Sequence, residues 1–183
     1  EMDFTAKDIT DINENLDEKV DIVFRQQVLM SAYQSIPREY SPGFFMNEVE
    51  IHILGFIHKT PGITAKEICQ KTYRSKGTIS TILSHLEEGG FLRQEVNAEN
   101  QRERNLFLTD KGREAHQRHA VFDRRTTYDY ISKASEFCTP EEINGFFKVT
   151  HFRNEYFEKV LENERKHYAE YKKTQKAKGA IVP

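Results

Sequence analysis

The sequence predicts a mainly α-helical protein with one small β-hairpin, which places it in the α+β class. Long segments at both ends of the chain repeat apolar residues at helical spacing. Near the middle, capping signatures at Thr64 and Ser75 indicate two short helices in close succession. Two β-like runs, 91–96 and 105–108, come next and flank a polar loop, so together they predict the hairpin.

Composition and charge restrict the class of protein. A chain of 183 residues can bury one sizeable core or two small lobes. It has neither an apolar run long enough to cross a membrane nor a secretory signal, so we expect no membrane partner. Cys69 and Cys138 lie far apart without metal or redox spacing, which favours a reducing cytoplasm. The formal net charge of −2 argues against indiscriminate binding to phosphate backbones.

The N-terminal segment 1–40 predicts one long helix that ends near Pro37. Its apolar stripe must be buried against another element, and a second copy of the chain is the simplest partner. Ser41-Pro42-Gly43 then interrupts the chain. The apolar positions are Ile9, Ile12, Leu16, Val20, Val23, Phe24, Val28, Ala32, Tyr33 and Ile36.

The central region 44–112 begins with a second helix. Asn47 followed by Glu50 is a capped start, and the helix is expected to end before Pro61-Gly62. The three elements after it, the two short helices and the hairpin, complete a compact lobe in the order helix, turn, helix, hairpin.

Within that order, the caps set the bounds of the third and fourth helices. Thr64 and Glu67 form the capping box of the third helix. Ser75 caps the fourth, which is predicted over 76–88 and stops at Gly89-Gly90.

The C-terminal region 113–175 predicts two further helices. Thr109-Asp110 caps the first of them, which runs towards Phe137, and the signature 139–142 opens the second. Both carry apolar stripes and are predicted to take part in dimerisation. The segment 176–183 is expected to be a flexible basic tail.

The fourth helix has the most informative surface. Its apolar residues recur at core-facing spacing, which leaves a polar and nearly uncharged face outside. Short hydroxyl side chains on such a face can reach base edges or phosphates in a major groove. A plain solvated surface helix is the alternative when the helix is taken alone. The predicted DNA-binding residues at this helix are Ser75, Lys76, Gly77, Thr78, Ser80, Thr81 and Ser84.

The hairpin, predicted over 93–107, adds cations next to that face. Arg102 and Arg104 stand near the tip of its loop, where an arginine can enter a minor groove. Charged tips also keep exposed hairpins in solution, which is the alternative for both residues. A helix-turn-helix followed by such a wing suits both grooves of duplex DNA.

This segment resembles the MarR (multiple antibiotic resistance regulator) family of bacterial winged-helix transcription regulators. The resemblance rests on the residues 75–78, on the exit Leu86-Glu87-Glu88-Gly89-Gly90-Phe91-Leu92, and on Leu108-Thr109-Asp110-Lys111-Gly112. Arg102 matches the family's wing arginine. Asn100 stands where the family usually has an aspartate; it keeps a hydrogen-bond acceptor but no charge.

The resemblance implies a winged helix-turn-helix fold with long N- and C-terminal dimerisation helices. It further implies a homodimeric DNA-binding regulator, a repressor in our interpretation. Helix 76–88 would read the major groove of a pseudo-palindromic operator and wing 93–107 the minor groove, under the control of a small-molecule effector. The alternative is a winged-helix protein–protein module without DNA binding. We find no enzyme motif and predict no cofactor.

The same resemblance suggests a metal site and a reactive cysteine as two further candidates. Some zinc-responsive relatives place histidines on the second and fifth helices, where this chain has His52 and His119, with Asp123 one turn from His119. No acidic ligand on the first helix completes that set, so no metal is predicted and these three residues remain candidates. Cys138, just before a helix cap, is the better candidate for a reactive thiol, although inert packing is favoured.

Overall fold

The computed structural model describes residues 14–98 and 100–177 as ten elements in chain order. The helices are α1 (Leu16–Ser35), α2 (Glu48–Lys59), α3 (Ala65–Thr72), α4 (Lys76–Glu88), α5 (Asp110–Ala134) and α6 (Pro140–Ala177). The strands are β1 (Arg38–Ser41), β2 (Phe44–Met46), β3 (Leu92–Val96) and β4 (Arg104–Leu108). The mainly helical class with its β3–β4 wing is confirmed. No described helix is long and apolar enough to cross a membrane.

The strands form two separate antiparallel hairpins. β3 pairs with β4 in an uninterrupted register, from Leu92 opposite Leu108 to Val96 opposite Arg104. The β1–β2 hairpin is absent from the sequence prediction, which placed only a break at 41–43. Gly43, with φ 73°, turns the chain there, and the register shifts between Glu39 and Ser41. A hairpin this short and irregular carries too few alternating residues to be read from sequence.

The chain divides into two compact units, 1–123 and 124–183, and α5 continues across the division. The first unit contains the buried core of the described chain, which α2, α3, α4 and both hairpins supply. The largest fully buried side chains are Met46, Ile51, Ile53, Leu54, Ile57, Ile63, Ile68, Ile79, Leu86, Phe91 and Leu106.

The terminal helices differ from this lobe because their apolar residues are exposed. α1 has no buried residue, and the predicted positions Ile9 and Ile12 lie outside the described residues. α6 remains helical to Ala177, beyond the start of the predicted tail at 176, while 178–183 lie outside the described residues. The exposed apolar residues of these two helices include Leu16, Val20, Phe24, Val28, Leu29, Phe146, Phe152 and Phe157.

Close backbone contacts join the end of α4 to the start of α5. The Thr109 hydroxyl donates to the Gly90 carbonyl at 2.7 Å, and the Lys111 ammonium donates to the Gly89 carbonyl at 2.7 Å. A β-carbon built on Gly112 would lie 2.0 Å from the Phe91 carbonyl oxygen. The helix therefore reaches this position only because residue 112 has no side chain.

The face between α2 and α5 makes stability depend on pH. Burial lowers the pKa of His116 below its ordinary value of 6.5, and the neighbouring His58 adds to this effect. The two rings lie 4.7 Å apart, and His116 Nδ1 is buried without a hydrogen-bond partner in the described chain. In the folded state His116 thus binds a proton less readily than in the unfolded state.

Stability should therefore fall as the pH drops below about 6.5, at most about 1.4 kcal/mol per pH unit for this histidine. The sign follows because the unfolded chain then binds more protons. Urea unfolding at pH 7.5 and 5.5, in metal-free buffer, measures the loss. His116→Gln should lose less stability between the two pH values than the natural chain. An equal loss would show that His116 does not contribute.

Candidate nucleic-acid interface

The turn between α3 and α4 is built as the capping signatures predict. The Thr64 hydroxyl accepts from the Glu67 N–H at 3.3 Å, and the Glu67 carboxylate accepts from the Thr64 N–H at 2.8 Å. These hydrogen bonds hold the pKa of Glu67 below its ordinary value. Tyr73 ends α3 in the left-handed conformation, with φ 54°, and Ser75 then caps α4. The two short helices are thus joined by a defined turn.

The polar face of α4 is exposed along its length. Ile79, Leu83 and Leu86 are buried on the opposite face, as their spacing predicts. This burial fixes the rotation of the helix about its axis, so its outer face is determined by its inner one. The exposed side is lined by Ser75, Lys76, Gly77, Thr78, Ser80, Thr81 and Ser84.

Several hydroxyls on this face already have partners. Ser75 Oγ accepts from the Thr78 N–H at 3.2 Å and lies 2.8 Å from Thr78 Oγ1. Thr81 Oγ1 donates to the Gly77 carbonyl at 3.1 Å. In the described chain, Ser80 and Ser84 make no such bond. Their hydroxyls can both donate and accept, whereas Thr81 in this rotamer can only accept.

Gly77 lies in the first turn of α4 and needs no small residue there for packing. A β-carbon at this position would meet only the Ser75 hydroxyl oxygen, at 3.9 Å. The fold would accept alanine at this position. The absence of a side chain leaves an approach to the first N–H groups of the helix, which are the groups that bind anions at helix N-termini.

Asparagine side chains organise the wing loop. Asn97 Oδ1 accepts from the Asn100 N–H at 3.1 Å, and Asn97 Nδ2 donates to Asn105 Oδ1 at 3.0 Å. Asn100 Oδ1 accepts from the backbone N–H of Arg102 at 3.2 Å. The amide at position 100 therefore orders the backbone that presents the arginine, although it carries no charge.

The base of the wing is fixed to the helix-turn-helix. The segment before α3 runs beside β4, with Gly62 N–H donating to the Leu106 carbonyl at 2.9 Å and Leu106 N–H donating to the Ile63 carbonyl at 3.0 Å. Thr64 and Asn105 form an isolated antiparallel bridge. The wing and the cap of α3 consequently share one hydrogen-bonded ladder.

One groove joins the predicted cations. It has a volume of about 430 Å³ and opens between the N-terminal ends of α3 and α4 and the wing. Lys76, Arg102 and Arg104 line it together with Lys66, which the sequence prediction missed. Lys66 lies two residues after the Thr64 cap, in the first turn of α3, and this position was the available signal. Four cationic side chains thus surround one concave surface, and Glu103 is the single acidic residue among the described residues that line it.

The candidate metal residues also meet, on the side of α2 that faces α5. His52, His119 and Asp123 lie together with Glu48, and one donor atom from each falls within 4.8 Å of the others. Glu48 is the residue missing from the sequence prediction, which looked for the acidic ligand on the first helix. The sequence contained a signal for Glu48, because Glu48 and His52 are one turn apart on the same face of α2.

Both cysteines have free thiols, Cys69 half-buried and Cys138 exposed. Cys69 lines the groove described above. The activation of Cys138 stays a prediction.

Comparison with known proteins gives consistent matches. The model of the MarR family matches residues 46–103. The uncharacterised HTH-type transcriptional regulator YhjH of Bacillus subtilis is 29% identical over 94 residues, which cover 51% of this chain and 53% of that protein. The HTH-type transcriptional regulator TtmR of Methylorubrum extorquens is 33% identical over 61 residues, 33% of this chain and 31% of TtmR. The chain thus spans about half the length of YhjH and about a third of the length of TtmR.

Among solved structures, Streptococcus pneumoniae FabT in complex with DNA superposes with a TM-score of 0.59. The superposition covers 80% of this chain and 98% of FabT, at 21% sequence identity. At this identity the likeness shows a common fold. The two sequence relatives are both named as HTH-type transcriptional regulators.

Proposed function

We propose that this chain is a MarR-family homodimeric DNA-binding transcription regulator that represses from a pseudo-palindromic operator. The match of residues 46–103 to the model of that family supports the proposal. In this proposal α4 enters the major groove and the wing follows the adjacent minor groove. The relatives that it resembles are named as transcriptional regulators, and one structural neighbour was solved on DNA.

The observation that carries the proposal is the groove between α3, α4 and the wing. Its four cations come from three separate elements, and the N-terminal end of α4 opens at the same surface. A phosphate backbone running through this groove would be contacted from both sides. The exposed polar face of α4 would then face base edges, with Ser80 and Ser84 carrying the hydroxyls that are free to donate.

The dimer is supported by the exposed apolar faces of the terminal helices. The Phe24 side chain in α1 is 63% exposed and that of Phe152 in α6 is 67% exposed. Faces of this kind, taken on each helix separately, favour burial against a second chain. Sedimentation analysis should give twice the chain mass, and a monomer at micromolar concentration would contradict the proposal.

A place for the proposed effector lies between α1 and α4. A cavity of about 650 Å³ is lined by Ser31 and Gln34 of α1, by Arg74, and by Thr78 and Thr81 of the exposed polar face of α4. A small molecule bound there would contact the dimerisation helix and the recognition helix at once. It would act by favouring a state that fits the operator less well.

Selection of bound duplexes from a random pool tests the function. A two-fold consensus, with half-sites about one helical turn apart, is the expected result. The competing function, a protein–protein module, predicts that no duplex is enriched over the input at low salt, and this outcome would overturn the proposal.

Gly77→Ala separates DNA binding from folding. The fold has room for the methyl group, and alanine is preferred in helices by up to about 1 kcal/mol, so stability should be unchanged or raised. Affinity for the selected duplex should fall about tenfold or more, as expected when a charge-assisted hydrogen bond is blocked. Thermal unfolding and fluorescence anisotropy on the same samples give both values. Undiminished affinity would place the backbone of residue 77 away from DNA.

A further inference from the structure

We propose that Glu48, His52, His119 and Asp123 bind one zinc ion per chain, in competition with the Arg38 side chain. The proposal goes beyond DNA binding and holds for the free protein. All four residues lie in the first unit, two on each of α2 and α5.

Three of the six donor–donor distances lie near those of a tetrahedral zinc site, and all six lie within 4.8 Å. Glu48 Oε1 lies 3.1 Å from His52 Nε2 and 3.8 Å from His119 Nε2, and His119 Nε2 lies 3.1 Å from Asp123 Oδ2. Ligands bound at about 2.0–2.1 Å in a tetrahedron are roughly 3.3 Å apart. Two imidazole nitrogens and two carboxylate oxygens form a ligand set that suits zinc better than calcium or magnesium, which take oxygen ligands.

The surroundings of the His119 side chain give independent evidence for a bound cation. Its side chain is 3% exposed, and neither ring nitrogen has a hydrogen-bond partner in the described part of the chain. Nε2 and the Asp123 carboxylate are close but not aligned as a hydrogen bond. A buried imidazole without a partner costs free energy, and a bound cation would remove that cost.

Arg38 occupies the other side of Glu48. Its Nη1 lies 3.3 Å from Glu48 Oε2, while Oε1 of the same carboxylate faces the two histidines. The guanidinium also donates to the Tyr33 carbonyl at 3.2 Å and lies 4.1 Å from the centre of the Tyr33 ring. It therefore acts as an internal counterion for Glu48 and ties this carboxylate to the end of α1. A zinc ion would share Glu48 with it and be repelled by its charge.

The formal charge of the two carboxylates favours binding of a cation. Glu48 and Asp123 contribute two formal negative charges, and Arg38 contributes one formal positive charge. Removing the charge of Arg38 leaves a site whose carboxylates balance a divalent ion. Zinc affinity should accordingly rise about tenfold or more in Arg38→Gln, which corresponds to about 1.4 kcal/mol.

The test is zinc binding by the purified full chain after chelator treatment, measured by competition with a chromophoric chelator at pH 7.5. One zinc per chain is expected, with cobalt giving the visible absorption bands of a tetrahedral site and magnesium failing to compete. His52→Gln and Asp123→Asn change partly exposed ligands and so spare the core. Each should weaken zinc binding by more than the roughly 10–100-fold that loss of an outer partner costs.

His58→Gln is the matched control, because it removes a histidine of α2 that is not in the cluster and should bind zinc as the natural chain does. Absence of stoichiometric zinc in the natural chain would overturn the proposal, as would equal affinity in His52→Gln and His58→Gln. Because no DNA is present, these outcomes leave the proposed regulator function unaffected, and failure to select a duplex would in turn leave this site standing.

Discussion

Arg102→Ala should weaken binding to the selected operator by about tenfold or more and make it less sensitive to salt. The side chain is exposed at the wing loop and lines the basic groove, and in the described chain it forms no ion pair. Each phosphate-neutralising contact that is lost reduces the slope of log K against log salt by about 0.9. A dimer loses two such contacts, so the slope should fall by about 1.8.

Anisotropy titrations at four or more salt concentrations measure both quantities. Arg118→Ala is the control, since Arg118 is a cation of α5 already paired with Glu114 at 2.6 Å. It removes the same charge from the chain without changing the groove. Operator affinity that stays the same in Arg102→Ala at every salt concentration would remove this arginine from the interface.

Gly112→Ala should destabilise the winged lobe by about 3 kcal/mol or more. The added β-carbon would overlap the Phe91 carbonyl oxygen at 2.0 Å and approach Leu108 Cδ2 at 3.3 Å. Because the nearest atom belongs to the backbone, no side-chain rotation relieves the overlap, and α5 must move relative to β3. Chemical denaturation of the variant and the natural chain gives the difference.

Gly145→Ala provides the comparison for that substitution. Gly145 lies in the first turns of α6, and a β-carbon there meets no atom within 4 Å. Its replacement should leave stability unchanged or raise it by up to about 1 kcal/mol, as helix propensity predicts. If the two variants were equally stable, the close approach at Gly112 would have no energetic weight.

The winged lobe could be predicted from sequence because local signals and core spacing agree there. Thr64 with Glu67, and Ser75 alone, mark helix starts through hydrogen bonds between neighbours in the chain. Buried Ile79 and Leu83 orient α4, so the exposed residues could be named before any coordinates. The family match over 46–103 falls on the same segment.

What could not be predicted depends on contacts between distant parts of the chain. Lys66 belongs to the groove only because β4 brings the wing against the start of α3. Glu48 joins His119 because α2 packs beside α5, and a pattern on one helix cannot show this. The β1–β2 hairpin likewise gives no periodic signal of its own, although it positions Arg38 beside Glu48.

The side-chain amides of Asn97 and Asn100, which order the wing loop, carry no charge beside the DNA that the wing would contact. A carboxylate at position 100 would order the Arg102 backbone equally well, but it would place a negative charge close to phosphate oxygens, and its charge would change with pH. Asn100 does neither, because an amide does not titrate and carries no charge. The hydrogen bond that orders the Arg102 backbone therefore does not depend on pH, and residue 100 adds no negative charge where the phosphates would lie.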